Sequence, residues 1–137
     1  MIRQEEYTKS ILERFCMTKC KPVGTPGFGS QLSSKQPEET LLSKKETQKY
    51  RAITGSVMYV AQILRCEIMY SSGQLACAMS RPAKVHMGAA KHLLYYLAGT
   101  TYFTIVYKKG DFKLTAYSDS NWGNNPGNGK STLCYII

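Results

Sequence analysis

The chain has 137 residues, 43% of them apolar and 20% charged. That length and balance suit one domain of ordinary size with a true core, in the range of soluble globular proteins. No apolar run approaches the ~20 residues of a membrane helix, and the N-terminus MIRQEEYTKS is too polar and mixed in charge for a signal peptide. No membrane partner is expected, and the default setting is intracellular, cytoplasm or nucleus rather than secreted.

The balance is basic, 18 Lys and Arg against 9 Asp and Glu. It is also uneven: residues 1–50 hold nine basic and six acidic groups, residues 51–137 nine and three. Such an excess makes polyanions, nucleic acid above all, the natural partner class. A basic surface also serves solubility, and charge alone leaves both readings open. The five cysteines are Cys16, Cys20, Cys66, Cys77 and Cys134, and only Cys16 and Cys20 are close, as C-x-x-x-C. No second pair follows at a zinc-site spacing. His86 and His92 stand about 240° apart around a helix. Free, mostly buried thiols are therefore expected rather than a metal site.

Residues 4–16, QEEYTKSILERFC, place Tyr7, Ile11, Leu12 and Phe15 at helical spacing. Residues 21–37 hold three prolines and three glycines, which rules out a long regular element. An extended connector over about 18–42 is the expected internal boundary. A second helix starts near Ser43, where Ser43-Lys44-Lys45-Glu46 has the capping-box form. Tyr50, Ile53, Val57, Val60, Ala61 and Leu64 form its apolar stripe, and Gly55 and Ser56 within it suggest close approach of another helix. Residues 67–80 suggest a third helix with Ile68, Leu75 and Met79 apolar, closed by Pro82.

The fourth helix, 84–100, carries Met87, Ala90, Leu94 and Leu97 as a stripe, with Gly99 as the expected left-handed stop. Lys84 and Lys91 share a face one heptad apart, with Tyr95 beyond. That face reads either as solvated or as a lysine ladder against a sugar–phosphate backbone. The pattern then changes to period 2. Residues 102–107 and 112–119 read as a β-hairpin around the turn Lys108-Lys109-Gly110-Asp111. Thr132–Ile137 reads as a further strand, and the chain stops in a strongly β sequence, as an unfinished domain would.

Between the last two strands lies SDSNWGNNPGNGKST, residues 118–132. Its Gly129-Lys130-Ser131 copies the tail of a P-loop, but the first glycine of that motif falls on Asn124, and a strand former follows instead of a helix. Nucleotide binding by this loop is not expected. Asp119 closes an alternating strand. On spacing alone it is either a turn-initiating Asp or a rigid ligand for magnesium, which prefers hard oxygens.

Several stretches together resemble copia-type retrotransposon Pol polyproteins. Tyr50-Arg51-Ala52-Ile53-Thr54-Gly55-Ser56-Val57-Met58-Tyr59 is similar to the family's Y-R-x-x-x-G-S-x-M-Y. Met79-Ser80-Arg81-Pro82, His86, Ala89-Ala90-Lys91 through Leu97, and Gly99-Thr100 follow its M-S-x-P…H…A-x-K-x-x-L-x-Y-L-x-G-T. Tyr117-Ser118-Asp119-Ser120-Asn121-Trp122, then Lys130-Ser131-Thr132 and Tyr135, follow Y-S-D-x-D-W…K-S-T-x-G-Y. Upstream, Gln4, Tyr7, Leu12, Phe15, Met17, Pro22 and Thr25-Pro26 match in order. The family's T-R-P-D-I is here Leu64-Arg65-Cys66-Glu67-Ile68, and Asn121 and Cys134 replace its second Asp and its Gly.

The resemblance implies an α+β chain. Residues 1–100 are a helical region like the thumb and connection of reverse transcriptase, and 101–137 are the first strands of a truncated, antiparallel ribonuclease H-like sheet. It implies duplex nucleic acid or RNA–DNA hybrid as partner, with Arg81, Lys84, Lys91, Lys108 and Lys109 as candidate contacts, and the remaining Pol segments as further partners. Asp119 is, by resemblance, the first metal-binding carboxylate of ribonuclease H. The polymerase Asp pair would precede Met1 and the other ribonuclease H ligands would follow Ile137. The parent family uses Mg2+, but no tightly bound cofactor and no catalysis by this chain alone are expected.

Overall fold

A computed structural model describes residues 2–29, 32, 33, 35–106, 108–110, 114–123 and 129–136. They form a mixed α+β chain with four α-helices and one two-stranded antiparallel sheet. The helices are α1 (Glu5–Arg14), α2 (Lys44–Ile63), α3 (Met69–Cys77) and α4 (Lys84–Gly99), and the strands are β1 (Tyr117–Ser120) and β2 (Leu133–Ile136). No helix among them is long and apolar enough to cross a membrane.

The core lies where α2 packs on α3 and α4, and α1 on α4. Ile11, Leu12, Ile53, Val57, Leu75 and Leu94 are buried there. α1 follows its apolar spacing, with Thr8 rather than Tyr7 fully buried, and Tyr7 stands edge-on to Tyr59 at 5.0 Å. α1 ends in a Schellman motif: the N–H of Met17 donates to Leu12 O at 2.7 Å and that of Cys16 to Glu13 O at 3.0 Å. Cys16 takes the left-handed position, φ 59°, that glycine usually fills.

α2 starts as its capping box dictates. The Glu46 N–H donates to Ser43 Oγ at 3.4 Å, and the Glu46 carboxylate accepts the Ser43 N–H at 3.0 Å. α4 solves the same problem differently. Its N-cap, Ala83, has no side-chain oxygen, and His86 Nδ1 accepts the Ala83 N–H at 2.9 Å.

The connector is extended, as its prolines and glycines require, yet it is tied to the helices. The Val23 N–H donates to Tyr95 O at 3.4 Å, Ser71 Oγ donates to Pro26 O at 3.0 Å, and His92 Nε2 bonds Thr25 O at 3.0 Å. Buried His86 bonds Ser33 O through Nε2 at 3.0 Å. With Nδ1 accepting a backbone N–H, the ring proton sits on Nε2 and the imidazole is neutral.

Four expectations change. Gly99 is not a left-handed stop. It is the last residue of α4, and a Cβ there would lie 2.8 Å from Pro22 Cβ, so glycine serves the close approach of the connector. Gly55 is exposed and a side chain on it would meet open space, so it does not admit a neighbouring helix. The thiols are not mostly buried: Cys16, Cys66, Cys77 and Cys134 are exposed and Cys20 half-buried, because each lies off its helix's apolar stripe or outside the helices. Finally, the first expected hairpin does not form among the described residues of 102–106. Ile105 pairs instead with Ile2 as an isolated antiparallel bridge. Tyr107, Asp111 at the end of the turn, and 112–113 of the expected second strand lie outside the described residues.

The sheet pairs Tyr117 with Ile136, Ser118 with Tyr135, Asp119 with Cys134 and Ser120 with Leu133. All residues of both strands are exposed.

Candidate nucleic-acid interface and the Asp119 hairpin

The five basic candidates fall into two places. Lys108 and Lys109 are exposed, just after the Ile105–Ile2 bridge. Arg81 precedes α4 and Lys84 opens it, both exposed, while Lys91 lies two turns further along the helix and is half-buried. Leu41 bridges Ala83 and the Leu42 N–H donates to Pro82 O at 2.9 Å, which lays the approach to α2 beside the approach to α4. Arg81 meets Glu38 at 3.4 Å, with both side chains largely exposed. Glu46 lies within the field of Lys84 and Lys91. Its carboxyl is held below the usual range chiefly by hydrogen bonds from Ser43; burial opposes this, and the Lys84 and Lys91 charges add the smallest contributions.

A further exposed face was not singled out by the charge pattern. On α2, Arg51, Gly55 and Tyr59 are exposed at i, i+4 and i+8, which places them on one side of the helix. Arg51 is anchored by Nε donating to Met79 O at 2.9 Å, and Gly55 leaves the backbone between the two side chains open. The signal available in the sequence was the polar complement of the apolar stripe.

Many residues of the quoted motifs hold the fold. Tyr50 is fully buried and donates its hydroxyl to Leu75 O at 2.6 Å, while burial pushes its phenol up to about 12. Arg65 is buried, with Nη1 donating to Thr100 O at 2.9 Å and Nη2 to Thr100 Oγ1 at 2.6 Å. Its guanidinium also pairs with Glu67 and lies over the rings of Phe103 and Tyr96, at 5.0 and 5.7 Å. It fastens the end of α2 to the end of α4 and to the chain leaving it. Burial lowers the pKa of His86, partly opposed by its bond to Ser33.

Asp119 stands on β1 opposite Cys134, fully in solvent, and its Oδ1 accepts the N–H of Ser120 at 2.9 Å. Among the described residues, three bonds close the end of the hairpin. The Asn121 N–H donates to Thr132 O at 3.1 Å, the Thr132 N–H to Asn121 Oδ1 at 2.7 Å, and the Gly123 N–H to Ser131 Oγ at 3.0 Å. Ser131 is thus a hydrogen-bond acceptor of the hairpin, and a strand follows it rather than the helix N-terminus that a P-loop opens. Residues 124–128 of the loop lie outside the described residues.

Among the described residues no three His, Cys, Asp or Glu side chains converge. One exposed carboxylate, already accepting a local N–H, does not make a magnesium site, which draws on several oxygens. The described residues do not fit a resident metal.

No family model and no solved structure match the chain. Three curated proteins match it nearly end to end. The retrovirus-related Pol polyprotein from transposon TNT 1-94 of Nicotiana tabacum is 34% identical over 99% of this chain and 10% of its own length. Those from transposons RE2 and RE1 of Arabidopsis thaliana are each 36% identical over 99% of this chain and 9% of their own lengths. The chain thus spans about a tenth of these relatives. It belongs, as a segment, with the retrovirus-related Pol polyproteins of transposons.

Proposed function

We propose that the chain is the part of a copia-type Pol polyprotein in which a duplex-gripping, thumb-like helical region, residues 1–100, runs into the first strands of ribonuclease H, residues 101–137. By itself it binds RNA–DNA hybrid and does not cleave it. The observation that carries the reading is the identity of 34–36% over 99% of the chain. It is supported by the exposed basic residues Arg81, Lys84, Lys108 and Lys109, and by the α2 face, where Arg51 offers a donor, Tyr59 a ring and Gly55 room for a backbone. An intracellular setting follows from that reading. Asp119 would be one member of a larger carboxylate set, and alone it activates no water.

Incubating the chain with RNA–DNA hybrid and Mg2+ or Mn2+ tests the proposal. Bound but intact hybrid is expected. Cleavage that Asp119→Asn abolishes would overturn the claim of inactivity.

A second reading, a protein-interaction module, is favoured by the hairpin. Trp122 is 98% exposed, and Tyr117, Leu133 and Tyr135 lie open on a sheet that has two strands among the described residues, whose edges would suit pairing with another chain. It predicts concentration-dependent association by sedimentation, and strictly monomeric behaviour removes it.

A further inference from the structure

The connector and α4 enclose a groove of about 350 Å3. Phe28 and Leu32 line it from the connector, and Val85, Gly88, Ala89 and His92 from α4. The four α4 positions are spaced i, i+3, i+4 and i+7, so this helix carries a second strip beside the one it buries in the core. One wall is fixed by a hydrogen bond and a ring contact. His92 Nε2 donates to Thr25 O at 3.0 Å, and the Phe28 ring stands edge-on to the imidazole, 76° between planes and 6.0 Å between centroids. Gly88 keeps the α4 side open, because a Cβ there would meet nothing.

The volume lies at the lower end of small-ligand pockets, about 300–1,000 Å3, so the groove admits a single ring system rather than a helix. Charge selects among such groups. Lys84 lies one turn before Gly88 and Lys91 one turn after it, on the same face of α4. Among the described residues neither lysine makes an ion pair. The carboxylate that feels their charge, Glu46, is bound by Ser43. An aliphatic side chain in the groove would leave both ammonium groups unused. A nucleotide offers a flat ring for the aromatic wall and phosphates for the cations.

We infer that this groove receives an unpaired base of single-stranded nucleic acid, with Phe28 and His92 as the stacking wall and Lys84 and Lys91 holding the phosphates that flank it. The inference rests on the nucleic-acid-binding reading proposed above and deepens it: the chain recognises a strand leaving the duplex, and not the duplex alone. Stacking on a ring is tolerant of sequence, since every base has a π-face, so the groove accepts any of the bases.

The test uses the full chain and a fluorescein-labelled RNA–DNA hybrid in three forms: blunt, with a short single-stranded DNA overhang, and with the same overhang made abasic. Anisotropy at ~100 mM KCl gives the affinities. Wild type binds the overhang hybrid about tenfold tighter than the blunt one, and the abasic form, which keeps the phosphates, loses most of that gain. Gly88→Leu fills the groove from an exposed helical position and removes the advantage. Gly73→Leu, the same change at an exposed, open glycine of α3, keeps it. Far-UV circular dichroism confirms that each variant is folded. No advantage in wild type, one that Gly88→Leu or the abasic overhang retains, or one that both leucine variants lose equally overturns the groove assignment, while binding of the blunt hybrid leaves the duplex reading standing. Self-association that Gly88→Leu abolishes, without an overhang advantage, gives the groove to a second copy of the chain and also overturns it. If wild type binds no form of the hybrid, both readings fail.

Discussion

Replacing Arg65 with methionine isolates the buried guanidinium that joins α2 to α4. Methionine keeps an unbranched apolar stem, two atoms shorter, but removes the charge and every donor. The lost interactions are the two bonds to Thr100, at 2.9 and 2.6 Å, the pair with Glu67 and the stacking on Phe103 and Tyr96. Removing one member of a buried pair costs about 3–5 kcal/mol when the other is left stranded. Here the partners are only partly stranded. Glu67, with 35% of its side chain exposed, regains water. Thr100 O keeps the Phe103 N–H at 3.1 Å, and Thr100 Oγ1 still donates to Tyr96 O at 2.8 Å. The expected loss is therefore at the low end, about 3 kcal/mol. Glu67→Gln, acting at a half-exposed acceptor, should cost under about 1 kcal/mol. Urea unfolding followed at 222 nm measures both. A cost below about 1 kcal/mol for Arg65→Met, or equal costs for the two variants, would refute the view that Thr100 and the two rings hold the guanidinium.

Gly99→Ala forces a Cβ against Pro22 at 2.8 Å and should lower stability by about 1–3 kcal/mol. Gly88→Ala, in open space on the same helix, should raise it by up to about 1 kcal/mol, and paired melting curves distinguish the two. Tyr50→Phe removes the bond to Leu75 O, which keeps the Ala78 N–H at 3.1 Å, so denaturant titration should show a loss of about 1 kcal/mol. Folded His86 binds its proton less readily than the unfolded residue, whose pKa is near 6.5. The unfolded state therefore holds more protons in that window, and stability falls as pH drops through 6.5 toward the lower folded value. In a pH series of melting curves, His86→Asn should lose that slope below about pH 6.5.

What was legible in the sequence was local. Ser43 and Glu46 announce the start of α2 because both partners of the capping box lie within one turn. The stripes of α1, α2 and α4 were readable for the same reason, since each helix repeats its own period. Features set by distant chain were not. Gly99 reads as a helix stop until Pro22, far back in the sequence, is found against it. Cys16 hides a left-handed turn because no glycine marks it. The strand at 102–107 was assigned to its nearest neighbour, but Ile105 pairs with Ile2 from the other end of the chain. At the candidate interface, sequence spacing found Lys84 and Lys91, but only the Leu41–Ala83 bridge shows how Glu38 comes to lie against Arg81. Spacing left Asp119 as either turn or ligand, and among the described residues no second carboxylate stands with it.

The central claim is that this segment of a Pol polyprotein grips duplex nucleic acid through phosphate contacts. The most direct measurement is the affinity of the wild-type chain for RNA–DNA hybrid as a function of salt. If at least three of Arg81, Lys84, Lys91, Lys108 and Lys109 contact phosphates, log K falls against log salt with a slope of about −2 to −3 or steeper. A flat dependence, or no binding at ~50 mM salt, would contradict the account.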